Sequence, residues 1–147
     1  MERFSSFTFL ISNISRHIRK IKSVEVSELD LKGPHVTCLY YINKSKALTA
    51  KELCVLCGED KGAISRSLEY LETKGFITSL PIDGKKYKTP LSLTEKGQEA
   101  SNVICQKIDS VLDRVAEGVS EEHRLIMYSA LEKINDNLKS ICNDYND

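Results

Sequence analysis

No net charge, no long apolar run and no even set of cysteines: these absences bound what this 147-residue chain can be. No stretch reaches the roughly 20 apolar residues needed to span a bilayer. Met1 to Leu10 is too interrupted by Glu2, Arg3 and serines to read as a secretion signal. A cytoplasmic protein without membrane association is therefore expected. Five cysteines, an odd number in no paired framework, agree with a reducing compartment. There is no glycine-rich phosphate loop, no H-E-x-x-H and no nucleophile elbow, so neither an enzyme nor a cofactor is expected. The length suffices for one compact domain, or for a domain with helical extensions.

The balance of 21 Lys/Arg against 21 Asp/Glu conceals an uneven distribution. Residues 1–24 carry five basic residues against one acid, and residues 25–50 three of each. Residues 51–98 carry eight against seven, and residues 99–147 five against ten. With the acidic excess confined to the C-terminal end, one face of a neutral protein can still attract phosphate.

The organising stretch is Leu48 to Gly97. Thr49 with Glu52 makes a capping-box pattern. The short helix it opens carries Leu53, Leu56, Cys54 and Cys57 as apolar members and ends at Gly58. Asp60 caps a second helix whose Ile64, Leu68 and Leu71 share one face, and Gly75 ends it. Its other faces hold Lys61, Gly62, Ser65 and Arg66. A helix, a tight turn and a helix make a helix-turn-helix, in which the N-terminal end of the second helix can meet base edges. Gly62 and Ser65 are small enough for close approach, while Lys61 and Arg66 reach phosphate or guanine. Alone, the pair is equally compatible with a solvated helix face. Phe76 to Leu80 and Tyr87 to Leu93 then read as strands about an Asp83-Gly84 turn. Lys85, Lys86, Tyr87 and Lys88 cluster at this hairpin tip and suit phosphate or minor-groove contact, although lysines also protect strand edges.

In order and spacing, these elements resemble the DNA-binding core of the MarR family of bacterial transcriptional regulators. The matching pieces are Leu48-Thr49, Glu52-Leu53, Asp60-Lys61, Ser65-Arg66, Leu71-Glu72, Lys74-Gly75-Phe76-Ile77 and Leu93-Thr94-Glu95-Lys96-Gly97. The resemblance implies a homodimer on pseudo-palindromic double-stranded DNA, often released by a small ligand or by oxidation, with a ligand cleft between dimer helices and winged helix. It departs in the wing, where Asp83-Gly84-Lys85 stands in place of an Asp-x-Arg triplet. Lysine is a point charge rather than a rigid fork, so phosphate contact is expected there more than shape reading.

Phe4, Phe7, Ile11, Ile14, Ile18 and Ile21 repeat at intervals of 3, 4, 3, 4 and 3, a heptad seam. Leu131, Ile134, Leu138, Ile141 and Tyr145 repeat likewise at the other end. One amphipathic helix in a monomer satisfies the first pattern; both together point to packing between subunits. The resemblance implies the same interface. Between the seams, Pro34 suits the start of a helix running to about Lys44, with Val36, Leu39, Tyr40 and Ile42 facing the core. A long helix from Thr94 towards Glu117 carries Val103, Ile104, Ile108, Val111, Leu112 and Val115. Gly97 in its first turn has a tolerable helical cost. Ser120 caps the last helix.

Cys54 and Cys57 form a C-x-x-C that reads as packing, as a thiol sensor or, least of all, as a metal site, because no second ligand pair accompanies it. The expected architecture is mainly α with a small antiparallel β-wing. Residues 33–97 form the winged helix-turn-helix, and residues 1–32 with 98–147 form the dimerisation region. The expected function is sequence-specific regulation of transcription, with Thr49 at a phosphate and Lys61, Gly62, Ser65 and Arg66 in the major groove. The alternatives are a winged-helix interaction module without DNA binding, or a C-x-x-C thiol redox protein.

Overall fold

The computed structural model describes residues 2, 5–45, 47–79 and 90–145. Phe4 of the N-terminal seam and the hairpin tip with Lys85, Lys86, Tyr87 and Lys88 lie outside the described residues.

Among the described residues six α-helices and three short strands follow one another, and the chain divides into two compact units, Met1–Lys107 and Ile108–Asp147. In the first unit a wide helical turn, Ser5–Phe9, leads into α1 (Leu10–Glu25). Then come α2 (Gly33–Lys44), β1 (Leu48–Thr49), α3 (Ala50–Cys57), α4 (Lys61–Thr73), β2 (Ile77–Ser79) and β3 (Pro90–Leu93). The helix α5 (Glu95–Val115) begins in this unit. Its core is built by Val36, Cys38, Leu39 and Ile42 of α2, Leu53 of α3, Ile64 and Leu71 of α4, and Ile104 of α5. Tyr40, expected inside with them, is half-buried.

The sheet is antiparallel in the order β1-β3-β2, with Leu48 opposite Leu91 and Ile77 opposite Leu93. β1 is an addition to the expected hairpin. Its two residues form a strand only because β3 lies beside them, so no local pattern announces it. Leu56, expected inside, is exposed at 44 %. The inward stripe of α3 is Ala50, Leu53, Cys54 and Cys57, spaced as one helical face, and Leu56 falls to its side.

The link from β3 to α5 explains the Leu-Thr-Glu-Lys-Gly segment. The Thr94 hydroxyl donates to the Gly75 carbonyl at 2.6 Å and accepts from the Gly97 amide at 3.0 Å. Lys96 donates to the Lys74 carbonyl at 2.7 Å, with its ammonium 4.3 Å from the centre of the Phe76 ring. Gly97 is buried, and a Cβ there would stand 1.8 Å from the Phe76 carbonyl oxygen. At the far end of this unit, Lys107 donates to the Glu25 carbonyl and pairs with Glu28, both at 2.6 Å, tying α5 to the end of α1.

In the second unit, Gly118 turns the chain with φ +77° after α5. Ser120 caps α6 (Glu121–Asp144), accepting from the His123 amide at 3.2 Å. Glu121 and Glu122 occupy the first turn of α6, where the helix dipole favours them, and Glu121 pairs with Arg124. No residue of α6 is buried. The same holds for α1, where Ile11, Ile14 and Ile18 are all exposed.

Candidate nucleic-acid interface

Two caps fix the helix pair. The Thr49 hydroxyl accepts from the Glu52 amide at 3.3 Å, and the Glu52 carboxylate accepts from the Thr49 amide at 2.8 Å and from its hydroxyl at 2.7 Å. These bonds, the amide one first, hold the Glu52 carboxyl below its ordinary value. The Thr49 hydroxyl hydrogen is thus committed within the cap, and a phosphate must replace the Glu52 carboxylate to receive it. Gly58, with φ +65°, ends α3, and the Asp60 carboxylate accepts from the Ala63 amide at 2.9 Å to open α4. Gly75, with φ +72°, lies just past the other end of α4.

Between these limits α4 is sharply two-sided. Ile64, Ser67 and Leu71 are buried, and Ser67 returns its hydroxyl to the Ala63 carbonyl at 3.0 Å. Leu68 is half-buried. Lys61, Gly62, Ser65, Arg66 and Glu69 are exposed, so the four residues expected to face the groove share the solvent side at the helix start. Gly62 has a particular role there. A Cβ on it would lie 3.3 Å from an Arg66 guanidinium nitrogen and 3.1 Å from an Asp60 carboxylate oxygen, so the arginine crosses a gap that glycine leaves open.

The other half of α4 is anchored to the start of α2. Tyr70 donates to the Asp30 carbonyl at 2.7 Å and stacks on His35 at 4.2 Å between ring centres. Lys74 reaches the Asp30 carboxylate at 3.3 Å. His35 is buried and accepts the Lys32 amide on Nδ1 at 3.1 Å. Burial holds its imidazole below the ordinary value; the Lys32 charge acts in the same direction and Asp30 opposes it. Sequence reasoning missed this cluster, because its members meet only through the fold.

A cleft of about 660 Å³ opens between α1, the start of α2 and α4. Arg19, Lys22 and Lys32 give it positive charge, His35 and Tyr70 an aromatic wall, and Arg66 joins it to the exposed face of α4. The C-x-x-C cysteines are both half-buried on α3. Among the described residues no group of three His, Cys, Asp or Glu is placed to hold a metal. Among them, too, no helix is long and apolar enough to cross a membrane.

A capped helix pair, a left-handed glycine turn and an antiparallel ribbon closed by β1 define a winged helix-turn-helix protein. Residues 29–86 match the sequence model of the MarR family. The fold agrees along nearly the whole chain. A MarR family regulator from Neisseria meningitidis is similar with a TM-score of 0.84 at 17% identity, covering 98% of this chain and 99% of that one. The S. aureus MepR–DNA complex gives 0.82 at 18%, over 94% and 99%. Staphylococcus aureus MarR in complex with salicylate and kanamycin gives 0.75 at 18%, over 95% and 99%.

Proposed function

We propose that this protein is a homodimeric regulator of transcription that binds duplex DNA through α4 and acts as a repressor released by a small ligand or by oxidation. One observation carries the reading: Lys61, Gly62, Ser65 and Arg66 share the open face at the start of α4, while Ile64, Ser67 and Leu71 lock the opposite face into the core. A helix held this way can enter a major groove without losing its own packing. The wing lysines Lys85, Lys86 and Lys88, with Tyr87, run along backbone or minor groove, and Thr49 meets a phosphate at the mouth of α3. The MepR–DNA complex, of the same fold, supports a DNA partner.

Phe4, Phe7, Ile11, Ile14 and Ile18, with Leu131, Ile134, Leu138 and Ile141, are the surfaces a second copy covers. Two copies of α4 then address half-sites about one helical turn apart. The cleft suits an anionic aromatic effector, since it offers three cations and the His35–Tyr70 pair and shares Arg66 with the groove-facing surface. The relative in complex with salicylate and kanamycin supports a small-molecule effector.

Selection of bound fragments from random duplex, followed by salt titration, tests the proposal. Binding should weaken by about 0.9 log units per log of salt for each phosphate contact. Arg66→Ala should cost about 1–3 kcal/mol and blur preference at one base step. An interaction module without DNA binding would retain no duplex at any salt concentration.

A further inference from the structure

Asp30 stands where the chain leaves α1 for the winged helix, and its backbone is left-handed, φ +54°, a conformation few side chains adopt. Val26 before it and Leu31 after it are both buried, so the chain leaves the core and re-enters it within a few residues. A single tight helical turn, Ser27–Leu29, makes the bend, with the Leu29 amide donating to the Val26 carbonyl at 3.0 Å. The side chain that secures Asp30 comes from α4. Tyr70 donates its hydroxyl to the Asp30 carbonyl at 2.7 Å, and Lys74 reaches the Asp30 carboxylate at 3.3 Å. The ion pair is open to water and contributes little. The hydroxyl bond is the directional one, because its half-buried ring is stacked on His35.

Both ends of this bond are tied down. Lys107 of α5 holds the end of α1 through the Glu25 carbonyl and the Glu28 carboxylate. Lys96, also of α5, holds the end of α4 through the Lys74 carbonyl. Along the rest of α4 the cleft lies between it and α1, with Arg19 and Lys22 on one wall and Ile64, Ser67 and Tyr70 on the other.

We propose that Tyr70 is a positioning residue: its hydroxyl latches α4 to the end of α1 and so sets the half-site spacing that a dimer accepts. The spacing rests on the DNA-binding dimer proposed above; the latch itself does not.

The lever is long enough to matter. Lys61 and Tyr70 bound a stretch of α4 spanning about 13 Å at about 1.5 Å per residue. A tilt of about 7° about the latch displaces the groove-facing start by about 1.7 Å, and a two-fold axis doubles this to about 3.3 Å. One base pair adds about 3.4 Å along the duplex, so a latched helix discriminates single-base-pair changes of spacer and a released one tolerates them. Tyr70 lies outside the groove-facing set, so base preference within each half-site is unaffected by its hydroxyl.

The full-length protein is compared with Tyr70→Phe, which keeps the ring on His35 and loses only the hydroxyl. Without DNA, hydrogen exchange followed by NMR reads the Leu29 and Lys32 amides, whose bonds flank Asp30. Both should exchange about fivefold faster or more in the variant, with the Leu39 amide in the middle of α2 unchanged. Equal rates overturn the latch, and so does an equal rise at all three amides, which marks general destabilisation. With duplex selected from random sequence, the spacer is then shortened or lengthened by one base pair. Parent affinity should fall at least about tenfold on either change and variant affinity less than about threefold, with the same salt slope and the same cost for each base substituted within a half-site. A tenfold fall that persists in the variant, or a parent indifferent to spacing, overturns the positioning role. A parent that binds no duplex overturns the function reading, and faster exchange at Leu29 and Lys32 then leaves the latch standing.

Discussion

A single hydrogen atom at Gly97 decides how closely α5 approaches the end of α4. Because a Cβ would stand 1.8 Å from a backbone oxygen, relief requires movement of the strand rather than of a side chain. Gly97→Ala should therefore destabilise the protein by about 1–3 kcal/mol despite the better helix propensity of alanine, as read from urea unfolding. Sequence reasoning saw only the helical cost of this glycine, because the carbonyl it accommodates lies on another element. His35 behaves similarly. Its neutral imidazole is needed as an acceptor at the start of α2, and its folded value is depressed. The unfolded chain takes up a proton below the ordinary 6.5 that the folded chain resists, so stability held above that value is lost as the pH falls towards the folded one. The urea midpoint should drop between about pH 7 and pH 5. That drop should flatten in His35→Phe, which keeps the stack on Tyr70; an equal slope in the variant would assign the pH dependence to other groups.

At the level of elements, ends were easier to read than faces. Thr49 with Glu52, Asp60 and Ser120 each cap a helix where the sequence signals one, and Gly58 and Gly75 end the helices expected to stop there. These are local rules, complete within four or five residues. Thr49→Ala removes the hydroxyl bonds of the first cap but keeps the amide bond to Glu52, and should cost about 1 kcal/mol, while Thr49→Ser should recover most of it, as seen in thermal melts. Faces depend on partners. Leu56 was expected inside because it is apolar, yet α2 and α4 meet the stripe one position away. The two residues of β1 are invisible without β3.

For the whole molecule, the exposed apolar faces are the dominant fact. Ile11, Ile14 and Ile18 of α1 are exposed at 40 %, 53 % and 47 %, and Leu131, Leu138 and Ile141 of α6 are similarly uncovered. Heptad spacing makes both apolar stripes legible in the sequence, since the period is fixed by helix geometry alone. These uncovered stripes are the surfaces that the proposed second copy would cover. If the proposed dimer is right, Ile18→Glu should yield a monomer in sedimentation equilibrium and abolish duplex binding with the fold retained by circular dichroism. A variant that stayed dimeric would relocate the interface. The left-handed glycines at Gly58 and Gly75 have a further consequence at this scale. They make the thirteen residues of α4 a bounded segment, seated by Ile64, Ser67 and Leu71, whose outer side chains can change without touching the core. On the proposed DNA-binding function, rewriting only Lys61, Gly62, Ser65, Arg66 and Glu69 would send the same scaffold to a different genomic address.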